Sequence, residues 1–561
     1  MIAKAELTVE GQSLIDNMLR DQQTLTAVDR FSQRHSAPGS FPSQQKYYLD
    51  LIPLDKPGNG QQYAFEVDLD KCAGCKACVA ACHSLNGLDE TETWRDVGLL
   101  MGGTYDEPTF QHVTTACHHC LEPACMEGCP TNAYDKDPVT GIVKHLDDQC
   151  IGCHYCTLTC PYDVPKYNHD KGIVRKCDMC SDRLAVGEAP ACVQSCTTSA
   201  IAIRIVDNQH VIDDCETGVF LPGAPVPDIT LPTTNYKTSK PFPRNTRPAD
   251  YYHEDAQHAH TPLVVMLVLT QLSVGGFLMS MVFESLLDPA VAASVRPAQA
   301  IVSLALGLLA LGASVFHLGR PLYAYRAIVG LGTSWLSREI VAFGLFAGLA
   351  SLYAGYVWLF GDNVAIIKGL GAAVVASGVL GVFCSVMIYH STRRELWEFA
   401  RSGMRFTMTT LLLGVTSAMF AGLAAAAWMG QTAIGELIVE GGRVLCWSVV
   451  GLTLVKLVYE GSIFRHLANK HHTMLKRSAL LMIGELRSAT IARFVVGGLG
   501  GIALPTLLDA ALHEADVSGN LGMALGVATA IFLASIVGEL IERYLYFTAV
   551  VSPRMPGGGK S

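Results

Sequence analysis

The chain has 561 residues, half of them hydrophobic and only 16% charged, with a formal net charge of -9. Such length and apolar content exclude a single soluble domain. Residues 1–260 are polar and rich in cysteine, whereas residues 261–550 contain repeated apolar runs of about 20 residues, the length that crosses a bilayer core. The sequence therefore divides into a soluble half and a membrane half.

The N-terminal extension, residues 1–61, contains a predicted amphipathic helix around 13–31 and then an aromatic, apolar patch. Two interpretations stay open: an arm that packs on a partner subunit, or an ordered surface extension without chemistry. The extension lacks the basic and apolar segments of a signal peptide. We therefore expect the soluble half to stay in the cytoplasm, where reduced thiols are free to bind metal.

Cysteines dominate the stretch from residue 71 to residue 200. They form four groups: Cys72, Cys75, Cys78, Cys82; Cys117, Cys120, Cys125, Cys129; Cys150, Cys153, Cys156, Cys160; and Cys177, Cys180, Cys192, Cys196. The first and third groups have the spacing CxxCxxCxxxC, and Pro161 after the last cysteine completes the form that holds cubane iron–sulfur clusters. The other two groups contain insertions. Cys215, Cys384 and Cys446 lie outside the groups, and the two in apolar runs are interpreted as buried small hydrophobic side chains.

Alternating apolar and polar residues lead into Cys72, and similar short runs precede Cys150 and Cys177. A short strand feeding a cysteine loop, with a short helix after the fourth cysteine, is the unit of ferredoxin-like domains, and four units make two modules over residues 62–205. Structural zinc is the alternative, but zinc ribbons need only two CxxC pairs. The pattern predicts four 4Fe–4S clusters, with all sixteen cysteines as metal ligands.

These four groups, with the same insertions, resemble the iron–sulfur (B) subunit of the DMSO reductase family of molybdenum enzymes. The resemblance implies that the fourth cysteine of each group binds a neighbouring cluster. It implies four ligand sets: Cys72, Cys75, Cys78 and Cys196; Cys177, Cys180, Cys192 and Cys82; Cys117, Cys120, Cys125 and Cys160; and Cys150, Cys153, Cys156 and Cys129. It also implies a separate catalytic subunit that carries molybdopterin.

Residues 206–260, rich in proline and threonine, are predicted to be an extended linker. Apolar spans follow within residues 261–550, and residues 551–561 form a tail. Eight spans are predicted, beginning near Leu263, Gln299, Ile340, Val364, Phe406, Val444, Phe494 and Leu521. The predicted fold class is an α+β double ferredoxin-like iron–sulfur domain followed by an all-α eight-helix transmembrane bundle.

An even number of spans places both ends of the membrane half on one side. Assigned by loop, the basic residues of that side are Arg320, Arg326, Arg338, Arg393, Arg394, Arg401, Arg405, Lys456, Arg465, Lys470, Lys476, Arg477, Arg487, Arg493, Arg543, Arg554 and Lys560. The opposite side has Arg296, Lys368 and Arg443. This positive-inside bias predicts a multi-pass protein of the inner membrane whose cluster domain faces the cytoplasm.

The stretch from His317 to Ile340, HLGRPLYAYRAIVGLGTSWLSREI, and the closing ERYLYF of residues 542–547 resemble the membrane-anchor (C) subunit of the same family. The resemblance implies quinone chemistry at His317 and Glu339. A quinone needs a hydrogen-bond partner and a proton-exchanging group, which histidine and glutamate supply. Arg320 and Arg338 are weaker candidates for the same cofactor. Alternatively, His317 caps a helix and Glu339 pairs with Arg338 or Arg320.

No haem is expected, because the histidines of the membrane half lie at span ends or in loops. A proton path is one interpretation of Asp509 and Glu539, but because both lie near span ends we expect them to reach the membrane surface. The chain lacks substrate chemistry of its own, and no nucleic-acid partner is predicted; its partners are the catalytic subunit, lipid and quinone.

The predicted function is that of a non-catalytic electron-transfer and membrane-anchor subunit working between the quinone pool and the catalytic subunit. Typical DMSO reductases have clusters outside the cytoplasm, so the charge bias favours resemblance to cytoplasm-facing, sulfite-oxidising enzymes. Quinol-dependent reduction of DMSO or nitrate is the alternative. A proton-translocating membrane module is a further alternative from another class, and it requires titratable residues buried within the spans, of which the sequence indicates few.

Overall fold

The computed structural model describes residues 16–17, 19–20, 48–286, 289–361, 363–429, 432–514 and 517–556. These residues form a cysteine-rich domain of short strands and helices, and a bundle of long helices that follows it. The helix predicted around residues 13–31 falls almost entirely outside the described residues.

Short elements build the cysteine-rich domain. Its strands are β1 (Gln61–Asp68), β2 (Asp96–Gly103), β3 (Pro108–Thr115), β4 (Tyr134–Lys136), β5 (Val143–His145), β6 (Lys166–Asn168), β7 (Ile173–Arg175), β8 (Ile201–Asp207), β9 (Asn235–Lys237) and β10 (Arg247–Pro248). Its helices are α1 (Ala77–Asn86), α2 (Ala124–Glu127), α3 (Tyr155–Thr159), α4 (Ser181–Ala185), α5 (Ala191–Gln194) and α6 (Asn208–Glu216).

The strands form small sheets around the cysteine loops. Strand β1 lies between antiparallel β8 and parallel β9, and the register places Val67 opposite Ile201. Strands β2 and β3 form a hairpin with β10 at its edge, while β4–β5 and β6–β7 are two-stranded. The strands predicted before Cys72, Cys150 and Cys177 are β1, β5 and β7, so this part of the prediction is confirmed.

The helix of each cysteine unit begins earlier than predicted. Helix α1 begins before Cys78 and contains Cys82, and α3 begins before Cys156. The residues that precede these helices, Lys76 and His154, both have left-handed backbone with φ of 58°. This turn starts the helix directly after the second cysteine, so the third cysteine projects from the first helical turn. The predicted position after the fourth cysteine was wrong for this reason.

Residues 206–260, predicted as a linker, contribute elements to the cysteine-rich domain. Strand β9 pairs with β1 and β10 pairs with β2. Thr230 and Thr233 are buried, as are Tyr48 and Ile52 from the end of the N-terminal extension. Threonine-rich segments favour extended structure, and an extended segment can complete a sheet edge.

Long helices make up the membrane half. They are α7 (Thr261–Leu286), α8 (Pro289–Val315), α9 (Trp335–Leu359), α10 (Val364–His390), α11 (Phe399–Met429), α12 (Thr432–Gly461), α13 (Met474–Ile483), α14 (Arg487–Gly498), α15 (Leu504–Glu514) and α16 (Val517–Thr548). Among the described residues, eight segments are long and apolar enough to cross a membrane, which confirms the predicted number. The seventh, Arg487–Leu512, joins α14 to α15 through one π-helical turn, Leu499–Ala503.

Charged side chains are buried inside the bundle, contrary to expectation. Glu539 is fully buried and accepts hydrogen bonds from Lys456 and, at 3.0 Å, from Arg493. Arg493 also donates to both carboxylate oxygens of Glu460, at 2.8 and 2.7 Å. The prediction that Glu539 reaches the membrane surface was therefore wrong. Because each charge has an opposite partner, the group avoids the cost of an isolated buried ion.

The same arrangement changes the charge count on which the orientation was based. Arg405, Lys456, Arg493 and Arg543 are buried within helices and do not belong to loops. Loop residues such as Arg326 keep most of the remaining positive charge on the side of the cysteine-rich domain. Arg296, counted on the opposite side, is likewise buried within a helix, so the bias keeps its sign. Cys215, Cys384 and Cys446 are all buried, which confirms the interpretation of the two that lie in apolar runs.

Candidate functional site

Backbone geometry shapes the cysteine loops. In the third group, Gly152 and His154 both adopt left-handed φ, at 67° and 58°, which curls the chain between successive cysteines. The curled backbone directs N–H groups at sulfur: Gly152 donates to Cys150 Sγ at 3.4 Å. Three further N–H groups do the same, from Ala133 to Cys129, from Met179 to Cys177 and from Ala200 to Cys196. Such donors stabilise negative charge on the sulfurs.

The thiols influence one another in four spatial sets. Burial raises the pKa of Cys72, and the thiols of Cys78, Cys196 and Cys75 raise it further. After the effect of burial, the pKa of Cys82 is raised by Cys192 and Cys180, and that of Cys177 by Cys117 and by Cys82. The pKa of Cys125 is raised in the same way by Cys160, Cys117 and Cys120, and that of Cys156 by Cys153, Cys129 and Cys150.

We name these sets by their members. Set 1 is Cys72, Cys75, Cys78 and Cys196; set 2 is Cys82, Cys177, Cys180 and Cys192; set 3 is Cys117, Cys120, Cys125 and Cys160; set 4 is Cys129, Cys150, Cys153 and Cys156. They are the sets that the resemblance implies. Cluster ligation by these sets stays a prediction.

The sets follow one another in a row. Cys192 of set 2 acts on the pKa of Cys78 in set 1, and Cys117 of set 3 acts on that of Cys177 in set 2. Burial raises the pKa of Tyr134, and thiols of both set 3 and set 4 raise it further. Tyr134 therefore lies between these two sets. Set 1 contains the exposed Cys75. The row therefore runs from the domain surface, at set 1, to set 4.

The cysteine sets suit cubane clusters better than single metal ions. All nineteen cysteines are free of disulfides. The four cysteines of set 3 line one cavity. Among the described residues, no three histidine, cysteine, aspartate or glutamate side chains converge closely enough to hold one metal ion. A zinc site needs such convergence, whereas a cubane binds its thiolates at separate corners.

Set 4 sits directly on the membrane half. The loop between α8 and α9 donates backbone hydrogen bonds to the cysteine loop, from Gly319 to Gly152 at 3.2 Å and from Arg320 to Ile151 at 3.0 Å. A Cβ at Gly319 would lie 2.1 Å from the carbonyl oxygen of Gly172, so only glycine fits there. Tyr155 adds a 2.8 Å bond to Ser391. We call this contact between residues 150–172 and residues 317–320 the seam.

His317 lies at the seam beside set 4. Its ring centroid is 4.9 Å from that of His154, which directly follows Cys153, and 5.1 Å from that of His260. Burial lowers the pKa of His317 to about 4, although a hydrogen bond to the Cys153 backbone opposes the shift. His258 extends the group, with its ring 4.9 Å from His260. This histidine cluster was not predicted from the sequence, where the His-Ala-His run before the first span is its only signal.

Glu339 approaches the same cysteine loop from inside the bundle. It is 4% exposed and accepts a hydrogen bond from Ser385 of α10. The pKa of Tyr155, two residues after Cys153, is raised by burial and further by the Glu339 carboxylate. The two residues predicted for the quinone site therefore both lie around residues 153–155.

The two arginines make other contacts. Arg320 donates to the carbonyl of Asp147 at 2.8 Å, beside the seam. Arg338 donates to the carbonyl of Gly332 at 2.7 Å and stacks on Trp335 at 4.3 Å. Within the described part of the chain, no ion pair joins either arginine to Glu339. Their predicted role at the cofactor stays a prediction.

An apolar surface borders His317. The loop between α8 and α9 exposes large hydrophobic side chains: Phe316 (85%), Leu322 (88%), Tyr325 (67%), Ile328 (55%) and Val329 (61%). A surface of this kind at the end of membrane spans lies at the lipid boundary.

Comparison with known sequences agrees with this architecture. The profile of the DMSO reductase anchor subunit (DmsC) matches residues 255–548, more than half of the chain. The chain belongs to the DmsC family. A 4Fe-4S dicluster domain profile matches residues 109–206, so this DmsC-family chain is a multi-pass membrane protein fused to an iron–sulfur, electron-transfer domain. The predicted resemblances to the B and C subunits are confirmed.

Curated relatives match the cysteine-rich part of this DmsC-family protein. The B subunit of anaerobic dimethyl sulfoxide reductase from Escherichia coli (strain K12) is 38% identical over 154 residues, which are 26% of this chain and 75% of the relative. The corresponding B subunit from Haemophilus influenzae is 33% identical over 191 residues, 32% of this chain and 91% of the relative. The formate dehydrogenase-O iron-sulfur subunit of Escherichia coli (strain K12) is 36% identical over 163 residues, 25% and 52% respectively.

Proposed function

We propose that this chain is the electron-transfer and membrane-anchor subunit of a molybdopterin oxidoreductase complex, and that it connects the membrane quinone pool to a separate catalytic subunit. One observation carries the proposal: His317 lies between cysteine set 4 and an exposed apolar surface at the membrane edge. Electrons and a lipid-soluble carrier can therefore meet at one place.

The quinone site comprises His317 and Glu339. His317 supplies a hydrogen bond to a quinone oxygen, and the buried Glu339 exchanges a proton with it. Oxidation of a quinol releases two electrons and two protons, and reduction of a quinone takes up the same numbers. The clusters accept one electron at a time, so the two electrons pass singly through set 4.

Four 4Fe–4S clusters bound by sets 1 to 4 form the electron path. Set 1 is the end farthest from the membrane half in the row, and Cys75 is exposed there. We place the catalytic subunit at this end. The fusion of both parts in one chain then fixes set 4 against the quinone site without a subunit interface.

The substrate of the complex follows from its side of the membrane. Positive loop charge supports a cluster domain in the cytoplasm. On that side we propose oxidation of sulfite: sulfite and water give sulfate, two protons and two electrons, and the electrons reduce quinone. Reduction of DMSO or nitrate by quinol is the alternative, and the names of the two dimethyl sulfoxide reductase relatives favour DMSO.

The quinone site is testable on the purified complex. A quinol analogue and dithionite are each added to the oxidised protein, and cluster reduction is followed by EPR. His317→Ala and Glu339→Gln should slow reduction by the quinol by about 10²-fold and leave reduction by dithionite unchanged. His471→Ala, an exposed histidine in a loop of the same side, is the matched control. Unchanged quinol reduction in both site variants would refute the site.

A second experiment decides the substrate. The native complex is isolated with its catalytic partner and offered sulfite with quinone, and then quinol with DMSO or with nitrate. Quinone reduction by sulfite supports the first proposal. Quinol oxidation by DMSO or nitrate, without any sulfite activity, replaces it with the alternative.

The buried charges of the bundle favour one further candidate, a proton-translocating membrane module. Lys456, Glu539, Arg493 and Glu460 provide the buried titratable groups that such a module requires. Their close ion pairing equally suits a purely structural clamp. Proton uptake by sealed liposomes during turnover, beyond that of the quinone chemistry, distinguishes the two.

A further inference from the structure

Two buried cations of the cysteine-rich domain have no carboxylate partner. Arg95 is 2% exposed and Lys176 is 3% exposed, and they are the only buried lysine or arginine side chains among residues 48–260. No ion pair joins either one to an acidic residue in the described part of the chain. By contrast, the buried Glu92 of the same domain pairs with Arg175 at 3.0 Å.

Lys176 lies at the junction of sets 2 and 3. Its ammonium group is 3.6 Å from the sulfur of Cys117 in set 3 and donates to the carbonyl of Cys177 in set 2 at 2.9 Å. A third hydrogen bond reaches the carbonyl of Val143. All three donors of the ammonium are thus directed at neutral carbonyls and one cysteine sulfur.

Arg95 lies at the junction of sets 1 and 2. One guanidinium nitrogen donates at 3.1 Å to Thr114, whose hydroxyl lies 3.6 Å from the sulfur of Cys78 in set 1, and the other terminal nitrogen has no hydrogen-bond partner. Burial alone lowers the pKa of Arg95, but nearby thiols outweigh it and raise the pKa. These thiols belong to both sets: Cys192, Cys78, Cys177 and Cys82.

An unpaired charge inside a protein is costly, because it loses its hydration without gaining an opposite charge. The nearest groups that can carry negative charge at both junctions are the cysteine sulfurs. A cubane with four thiolate ligands carries net negative charge and gains one more negative charge on reduction. The two cations are therefore placed where a bound cluster on each side compensates them.

We propose that Arg95 and Lys176 are buried counter-charges that raise the reduction potentials of the clusters on both sides of them. This inference rests on the proposed ligation by sets 1 to 4. A fixed positive charge stabilises the reduced cluster more than the oxidised one, and the effect is strong where water is excluded. In each transfer, one electron leaves a reduced cluster, which becomes oxidised, and enters the neighbouring oxidised cluster, which becomes reduced. No proton is required.

The placement predicts which clusters respond to each charge. Arg95 acts on the clusters of sets 1 and 2, and Lys176 acts on those of sets 2 and 3. Only the set 2 cluster responds to both. At the junction of sets 3 and 4 the buried side chain is the neutral phenol of Tyr134, so the cluster beside the membrane responds to neither.

The experiment is an EPR-monitored redox titration of the purified complex, with Arg95→Gln and Lys176→Gln beside wild type. Two of the four midpoint potentials should become more negative in each variant, and one of them should shift in both. Lys144→Gln, which removes a surface lysine of the same domain, is the matched control and should leave all four potentials unchanged. Iron analysis of wild type tests the proposed clusters separately from their tuning.

The outcomes are decisive in either direction. Loaded neutral variants with four unchanged potentials would overturn the proposal while leaving the proposed electron path intact. If the neutral variants fail to assemble clusters, Arg95→Lys and Lys176→Arg take their place. These charge-preserving variants must then assemble clusters with wild-type potentials, and their failure would mean that shape rather than charge is required.

Discussion

Substitution of Gly319 by alanine tests the seam between the cysteine loop and the membrane half. The new Cβ would lie 2.1 Å from the carbonyl oxygen of Gly172 and 2.6 Å from the hydroxyl of Tyr167. Real contacts of this kind are not shorter than about 3 Å, so the loops must separate by roughly 1 Å, at an overpacking cost of about 1–3 kcal/mol. A misplacement of this size lowers a geometry-dependent rate by up to about 10²-fold.

Two measurements check this expectation. Thermal denaturation of the purified complex should show a lower Tm, and stopped-flow absorbance should show slower cluster reduction by a quinol analogue, with dithionite reduction unchanged. Gly332→Ala is the control, because nothing lies within 4 Å of a Cβ at that position of the same loop. If Gly319→Ala behaves like Gly332→Ala in both measurements, the seam does not position set 4 against the quinone site.

Three further predictions follow from the same structure. Arg493→Ala leaves Glu460 and Glu539 buried without their shared partner and should cost about 3–5 kcal/mol, seen as a lower Tm than that of the exposed Arg487→Ala in the same helix. Burial lowers the pKa of His260 to about 4, so between about pH 6.5 and pH 4 the unfolded chain binds a proton that the folded chain does not. The free energy of unfolding should therefore fall as the pH drops through this range. In Tm measurements at several pH values, His260→Gln should weaken this pH dependence, whereas His210→Gln, at an exposed histidine, should leave it unchanged. Iron and sulfide analysis should give about 16 of each per chain, whereas stoichiometric zinc would contradict cubane ligation.

The cysteine spacing contained most of the information on the soluble half. Repeated CxxCxxC loops are typical of iron–sulfur modules, so the sequence predicted both the modules and the strands that lead into them. Spacing along the chain does not determine backbone handedness, however. The left-handed turns at Lys76 and His154 start the helices early, and the helix prediction therefore failed.

Charged residues near span ends were harder to interpret from sequence. A glutamate nine residues from the end of its helix, such as Glu539, reaches the surface or stays inside according to what faces it. Its partners, Lys456 and Arg493, come from two other helices far away in sequence. The histidine cluster was missed for the same reason, because His154, His260 and His317 meet only when the cysteine-rich domain rests on the bundle.

The two halves of the chain compensate buried positive charge in different ways, and the difference has a physical cause. In the bundle, Lys456 and Arg493 contact carboxylates, whose charge is fixed. In the cysteine-rich domain, the hydrogen bonds of Arg95 and Lys176 go to a hydroxyl, to carbonyls and to one cysteine sulfur, and Arg95 also lies over the ring of Phe65. A carboxylate beside each of these two cations would cancel its effect on a neighbouring cluster. Because the two cations have no carboxylate partner, their charge acts on the neighbouring clusters. The charge of each cluster changes by one electron during electron transfer.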